Sequence, residues 1–215
     1  MDRMKAEVTR VALIGDIVES RRAGDRQELH DTVAEVLDRV NRDHPVVDPA
    51  VITLGDEFQG VYATLGDALT AAFHIRARLR PHDVRFGLGR GAIQVLDRER
   101  GIHDGPAYWA ARDAIEDAAA TAGKAALRTT RTIFRSPEDP PAQLVAVNAA
   151  LLTLDQVLGA LSPGSWRILA GRLSGLTQKD IAEREGITPS AVSQRVRGDG
   201  IGVAMEAMRM LGELP

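Results

Sequence analysis

An aspartate stands near the end of an apolar, strand-forming run, Val11-Ala12-Leu13-Ile14-Gly15-Asp16-Ile17-Val18. A second run, Val51-Ile52-Thr53-Leu54-Gly55-Asp56-Glu57-Phe58, delivers an acidic pair at a tight turn. Carboxylates offered by two neighbouring strands suit a metal-bound nucleotide, because magnesium takes hard oxygen ligands and shares them with phosphates. Each acid also has a purely structural reading. Asp16 can cap the turn after its strand, and Gly55-Asp56 is ordinary hairpin-turn chemistry. Ser20, Arg21 and Arg22 follow Asp16 and read equally as phosphate contacts or as a solvated loop. Tyr108 and Arg112 lie one helical turn apart, spaced to stack on a base and hold a phosphate. The alternative for Tyr108 is a partly buried core tyrosine.

A second chemistry lies in Leu176-Thr177-Gln178-Lys179-Asp180-Ile181-Ala182-Glu183-Arg184-Glu185-Gly186-Ile187-Thr188-Pro189-Ser190-Ala191-Val192-Ser193-Gln194-Arg195-Val196. This stretch resembles the helix-turn-helix of response-regulator and sigma-factor region 4 type. Ile181 and Ala182 pack a first helix onto a second, Gly186 allows a left-handed turn, and Ile187 plugs the core. Val192 and Val196 anchor the second helix. Thr188, Ser190, Ala191, Gln194, Arg195 and Arg197 are left facing outward. A glutamine and arginines on an exposed helix suit adenine and guanine edges or phosphates of double-stranded DNA. No acid lies between Thr188 and Gly198, so the face is locally positive. Thr188, Ser190, Gln194, Arg195 and Arg197 are the expected DNA contacts; the alternative is a small three-helix module for protein contacts.

The elements that position these residues follow from periodicity and punctuation. A strand over 10–18 leads to a helix with Leu29, Val33, Val36, Leu37 and Val40 on one stripe. His44-Pro45 and Asp48-Pro49 end that helix. Short strands over 50–54 and 58–63 join at Gly55-Asp56-Glu57 as a hairpin. A helix over 65–79 buries Leu65, Leu69, Ala72, Phe73 and Leu79 before Pro81. The next strand, 84–93, carries Gly87, Gly89 and Gly91, which points to close approach of another backbone or a ligand. The polar tip at 96–101 predicts a hairpin with a short return strand. Gly105-Pro106 opens a helix whose stripe is Ala107, Ala110, Ala111, Ala114, Ile115 and Ala118, and a final strand runs through 125–130 or up to Phe134. Trp109 and Trp166 read as core residues. The order β-α-β-β-α-β-α-β predicts an α+β fold, with an antiparallel or mixed sheet and helices on one face.

Ser136-Pro137-Glu138-Asp139-Pro140-Pro141 is the clearest linker, and a bridging helix follows over 142–160. Three helical pieces come next. One runs from Ser162-Pro163 to Gly175, one is capped by Thr177 with Asp180 as capping-box partner, and one is opened by Thr188-Pro189-Ser190. A tail helix over 202–211 carries Val203, Met205, Met208 and Leu211. The expected division is 1–135, 136–161 and 162–215.

Composition bounds the rest. With 215 residues, 44% hydrophobic and 27% charged, the chain is an ordinary globular one. No apolar run approaches the roughly 18 residues that cross a bilayer, and the N-terminus lacks a signal-peptide core. A chain without cysteine has no disulfide or thiolate metal site and fits the cytoplasm. The net charge of −3 argues against nucleic-acid binding by the whole chain, yet residues from Ser162 onward carry seven basic against six acidic groups. Nearly all positive charge is arginine, the better fork for phosphate. The histidines at 30, 44, 74, 82 and 103 have no metal-ligand spacing.

Four segments together resemble the catalytic domain of class III nucleotidyl cyclases and the related GGDEF domains. They are Gly15-Asp16-Ile17-Val18, Leu54-Gly55-Asp56-Glu57-Phe58, Phe86-Gly87-Leu88-Gly89-Arg90-Gly91 and Gly105-Pro106-Ala107-Tyr108-Trp109-Ala110-Ala111-Arg112. The likeness covers roughly residues 8 to 135. With the C-terminal helix-turn-helix, the chain most resembles the SatD family, which pairs such a domain with such a motif. The resemblance implies a ferredoxin-like, nucleotidyl-cyclase-like sandwich followed by an all-α DNA-binding module. It implies Mg²⁺ held by Asp16, the Ile17 carbonyl and Asp56, and a nucleotide ligand contacted by Gly55, Tyr108, Arg112 and Arg21. Cyclases place a purine-selecting lysine where this chain has Ile52 and a ribose-orienting asparagine where it has Tyr108. The site is therefore expected to bind rather than to catalyse, and no residue is assigned as catalytic. The expectation is a dimeric DNA-binding regulator that takes a nucleotide as effector, with the interface supplied by the tail helix or the cyclase-like domain. The alternatives are an active nucleotidyl cyclase or related phosphoryl-transfer enzyme, and a dimerisation scaffold.

Overall fold

Residues along β1 (Thr9–Ile17) alternate between two apolar environments. Val11, Leu13 and Ile17 enter a large core, while Ala12 and Ile14 enter a smaller one behind it. Burial on both sides is why this strand reads as an unbroken apolar run. The computed structural model describes residues 8–19, 26–97 and 102–215, and β1 is the middle strand of its five-stranded sheet.

β3 (Glu57–Tyr62) and β4 (Val84–Ala92) flank β1, both antiparallel to it. β2 (Asp48–Leu54) pairs with β3 at one edge. β7 (Thr132–Arg135) pairs with β4 in parallel at the other, giving the order β2-β3-β1-β4-β7 in an α+β fold. β5 (Gln94–Asp97) and β6 (Ile102–Asp104) form a separate two-stranded hairpin, as the polar tip between them predicts.

The sheet is covered on both faces, not one. α1 (Arg26–Asp43) and α2 (Leu65–Arg78) contribute Leu29, Val33, Leu37, Leu65 and Leu69 to the core that holds Val11 and Leu13. α3 (Pro106–Ala122) lays Ala107, Ala111 and Ile115 against Ala12 and Ile14 on the opposite face. The glycines of β4 explain how it fits there. A Cβ on Gly87 would lie 2.2 Å from the Ala111 carbonyl oxygen, and one on Gly89 2.1 Å from that of Ala107. The neighbour these two glycines admit is a helix backbone, not a ligand.

Two further expectations are corrected. Residues 125–130 are not a strand: Ala125–Leu127 is a 3₁₀ turn, and the strand begins at Thr132. The N–H groups of Arg131 and Thr132 bond the Asp155 carboxylate at 2.7 and 2.8 Å, which fixes where β7 starts. Trp109 is 60% exposed. It lies two residues after Ala107, about 200° around the helix from the alanine stripe, and its indole N–H donates to Asp104.

α4 (Pro141–Gly159) follows the proline-rich segment and buries Val147, Leu151, Leu154, Asp155 and Leu158. By length and composition it is apolar enough to cross a membrane, with a mean hydropathy of 1.3, although Gln143, Asn148, Asp155 and Gln156 interrupt its apolar residues, so it is not a continuous apolar run. Four shorter helices follow: α5 (Pro163–Leu173), α6 (Gln178–Glu185), α7 (Pro189–Gly198) and α8 (Ile201–Leu211). Trp166, Ile168, Ile181, Val192, Ile201 and Met208 belong to the same continuous core as Val11 and Leu13. Trp166 is a core residue, as expected. Met208 and Leu211 of the tail helix are buried within the chain itself, so they are not free to form a dimer interface; Val203, expected beside them, is exposed. The chain end returns to the sheet domain, where the Leu65 and Gly66 N–H groups donate to the carbonyls of Pro215 and Leu214.

Candidate functional site

Strand parity assembles the first site. The register pairs Asp16 directly with Arg85 on β4, and the Gly15–Phe58 pairing sets Glu57 of β3 beside Asp16 on the other side. The three side chains thus form a row across β3, β1 and β4, on the face that carries α3. From α3, Arg112 reaches the end of this row. Its Nη1 donates to Glu57 Oε2 at 2.5 Å and its Nη2 to Oε1 at 2.7 Å, a two-bonded fork. Arg85 Nη1 donates to Asp16 Oδ2 at 3.1 Å. Gln59 adds a hydrogen bond to Glu57 at 2.9 Å.

The two carboxylates titrate in opposite directions. The Arg112 hydrogen bonds hold Glu57 below its ordinary value. Burial pushes Asp16 up, opposed by Arg85 and reinforced by the nearby charges of Asp56 and Glu57. Two environments on one row therefore make one acid firmly charged and the other reluctant to ionise.

The expected site residues are partly brought together. Asp16 and Arg112 share the row. Ile17 is the last ladder residue of β1, paired with Val84, its side chain in the core. Gly55 has φ +66°, the left-handed conformation the hairpin turn requires. Asp56 does not join the row; it lines a small cavity with Gly55, Ile52 and the α1 residues Arg26 and His30. Tyr108 is half-buried against the small core around Ala107 and Ile14. Burial beside Asp48 pushes its hydroxyl up to about 12. Ser20, Arg21 and Arg22 lie outside the described residues, as does the His103 side chain. Among the described residues, no three His, Asp or Glu side chains converge as they would around a metal ion. Asp16 and Glu57 are each engaged by an arginine. Arg85 was missed by sequence reasoning. Its alternation with the buried Val84 and Phe86 was the signal that placed it on the glycine face of β4.

The second site is the turn between α6 and α7. The Thr177 hydroxyl accepts from the Asp180 N–H, and the Asp180 carboxylate accepts from the Thr177 N–H at 2.9 Å, a complete capping box. Gly186 ends α6 with φ +65°, a conformation that side-chain-bearing residues rarely adopt. The Thr188 hydroxyl caps α7 by accepting from the Ala191 N–H at 3.1 Å. Ile181, Ala182 and Val192 are buried between the helices. Thr188, Ser190, Gln194, Arg195 and Arg197 are all exposed, as expected. Thr188 is nonetheless occupied in capping. The Arg195 guanidinium lies over Gly164 at the start of α5, where a Cβ would be 2.3 Å from its Nη1.

The model of the SatD family matches residues 10–214. No curated protein matches the chain. Among solved structures, a regulator of polyketide synthase expression from Bifidobacterium adolescentis aligns at 13% identity over 97% of this chain and 86% of that one. Its TM-score of 0.28 is too low to carry an argument.

Proposed function

The chain belongs to the SatD family, and we propose that it is a DNA-binding transcription regulator whose sheet domain takes a nucleotide as effector. The observation that carries this reading is the α6–α7 pair. Its turn is fixed by Gly186 and two caps, its inner residues are buried, and its second helix presents Ser190, Gln194, Arg195 and Arg197 to solvent without an intervening acid. A helix of this kind, capped and held by a helix-turn-helix, suits the major groove. Arg195 and Arg197 supply phosphate or guanine contacts, and Gln194 suits an adenine edge.

The effector reading rests on the sheet. The order β2-β3-β1-β4, entered as β-α-β-β-α-β, is that of a ferredoxin-like fold, the core expected of a nucleotidyl-cyclase-like domain. Arg112 stands at the end of the central strands, 43% exposed at its side chain, and is held by a carboxylate that an incoming phosphate can replace. Trp109, exposed on the same helix, offers a face for a base. Binding is favoured over turnover. Ile52 and Tyr108 supply neither a lysine for the base nor an asparagine for the ribose, and Asp16 and Glu57 stand in arginine pairs. A homodimer would let two recognition helices read paired half-sites.

Gel-shift titration of the full-length protein across genomic fragments tests the DNA reading. Sequence-preferring binding that weakens in Arg195→Ala is expected, and indifference to sequence at every salt concentration overturns it. A thermal-shift panel of nucleotides tests the effector reading: at least one should raise the melting temperature in wild type and not in Arg112→Ala.

A further inference from the structure

A groove of about 890 Å³ separates α1 and α2 of the sheet domain from α5 and α6, within the size range of small-molecule sites. Five arginines line it, Arg39, Arg78, Arg80, Arg167 and Arg184, against one carboxylate, Glu35. The neighbouring acids do not balance them. Asp43 is shared by Arg39 at 3.8 Å and Arg78 at 3.4 Å. Asp83 is shared by Arg80 at 3.6 Å, Arg76 at 3.7 Å and Arg131 at 2.6 Å. Among the described residues, Arg167 is the one groove arginine with a carboxylate to itself, Glu185 at 2.5 Å.

The crowding is felt by the arginines. Burial together with Arg39 pulls Arg78 below its ordinary value, and burial together with Arg76 and Arg131 does the same to Arg80. Arg80 lies 4.2 Å from the centroid of the Trp166 ring, which occupies that ring's face with a cation. The buried indole N–H of Trp166 has no acceptor among the described residues, and a buried donor of this kind ordinarily has one. Val36, Ala77 and Leu161 add an apolar wall. The groove thus offers more guanidinium forks than its own carboxylates fill, and guanidinium matches phosphate in planar, two-bonded geometry.

We propose that this groove binds a small phosphate-bearing oligoanion, held between arginines of the sheet domain and arginines of the C-terminal helices. The site is distinct from the Glu57–Arg112 row, and its occupant bridges the two parts of the chain: Arg39, Arg78 and Arg80 on one bank, Arg167 and Arg184 on the other.

Calorimetric titration of the full-length protein with inorganic tripolyphosphate, at fixed ionic strength, tests this. One saturable site is expected in the groove, with affinity about tenfold lower in Arg39→Ala and again in Arg184→Ala, the scale of one charge-assisted hydrogen bond. Both residues are exposed, so neither variant threatens the fold. Arg209→Ala, outside the groove, should bind as wild type does. The proposal is overturned by the lack of a saturable site, by equal loss in Arg209→Ala, or by citrate binding as tightly as tripolyphosphate. Loss in Arg112→Ala with none in the groove variants would move the anion to the sheet and overturn it too, while leaving the nucleotide reading of Arg112 intact.

Discussion

Arg112 of α3 and Glu57 of β3 form a two-bonded ion pair at 2.5 and 2.7 Å that ties the helix to the open end of the sheet. Because Arg112 is substantially exposed, solvent screening leaves the pair worth less than about 1 kcal/mol to stability. Its larger effect is on what Arg112 is free to bind. Glu57→Gln keeps the shape and removes the competing charge. The variant should bind nucleotide more tightly than wild type, read as a larger thermal shift at equal ligand. An unchanged shift would mean that Arg112 is not the phosphate contact.

Breaking the buried pair between Arg76 and Asp155 should be the most destabilising single change at an ionic site. Arg76 Nη1 donates to Asp155 at 2.5 Å, and both residues are 2% exposed. The other carboxylate oxygen accepts the N–H groups of Arg131 and Thr132. Asp155→Ala removes the nearer carboxylate from a buried guanidinium, leaving only Asp83 at 3.7 Å among the described residues, and strands two backbone donors, so a loss of about 3–5 kcal/mol is expected in denaturant unfolding. Asp155→Asn, which keeps an acceptor, should lose less.

Gly89→Ala tests the close approach of α3. A methyl group there meets the Ala107 carbonyl oxygen and the Ala111 nitrogen, both backbone atoms that cannot rotate away. The helix must shift outward, costing about 1–3 kcal/mol. The midpoint of thermal unfolding by circular dichroism is the measurement, and a variant as stable as wild type would show that α3 is not seated as described.

Acid should weaken the fold through His74. Its ring lies 4.2 Å from that of His44, centroid to centroid and tilted by 47°, and Arg78 and Asp43 complete the charged groups around it. Burial, with His44 and Arg78 adding to it, pulls its folded value from 6.5 down to about 4. Between those values the folded state binds fewer protons than the unfolded chain, so the stability is fully present above about 6.5 and is lost as pH falls toward 4. Unfolding free energies at several pH values across that window should fall with pH in wild type and fall less in His74→Gln.

On α7, Gln194 and Arg197 should fail differently. Arg197→Ala should weaken binding to all duplexes and reduce the salt dependence of log affinity by about one. Gln194→Ala should leave non-specific affinity nearly intact and relax sequence preference. Identical behaviour of the two would place neither on base edges.

Local signals carried much of the chain on their own. The stripe of Leu29, Val33, Leu37 and Val40, the Thr177–Asp180 capping box and the left-handed Gly186 are each decided within a few residues, because helix periodicity and capping are local. The run from Val11 to Ile17 was legible as a buried strand for the same reason. What the sequence could not decide was partnership across distance. Fifty-five residues separate Glu57 from Arg112, 69 separate Asp16 from Arg85, and 79 separate Arg76 from Asp155. Strand register brings Arg85 to Asp16 and puts Glu57, not Asp56, beside Asp16, while the seating of α3 on the sheet brings Arg112 to Glu57. The face chosen by α3 was undecided as well. Gly87 and Gly89 announced a close neighbour, but only the tertiary structure made that neighbour a helix backbone, since a missing side chain accommodates a ligand and a packed helix equally well.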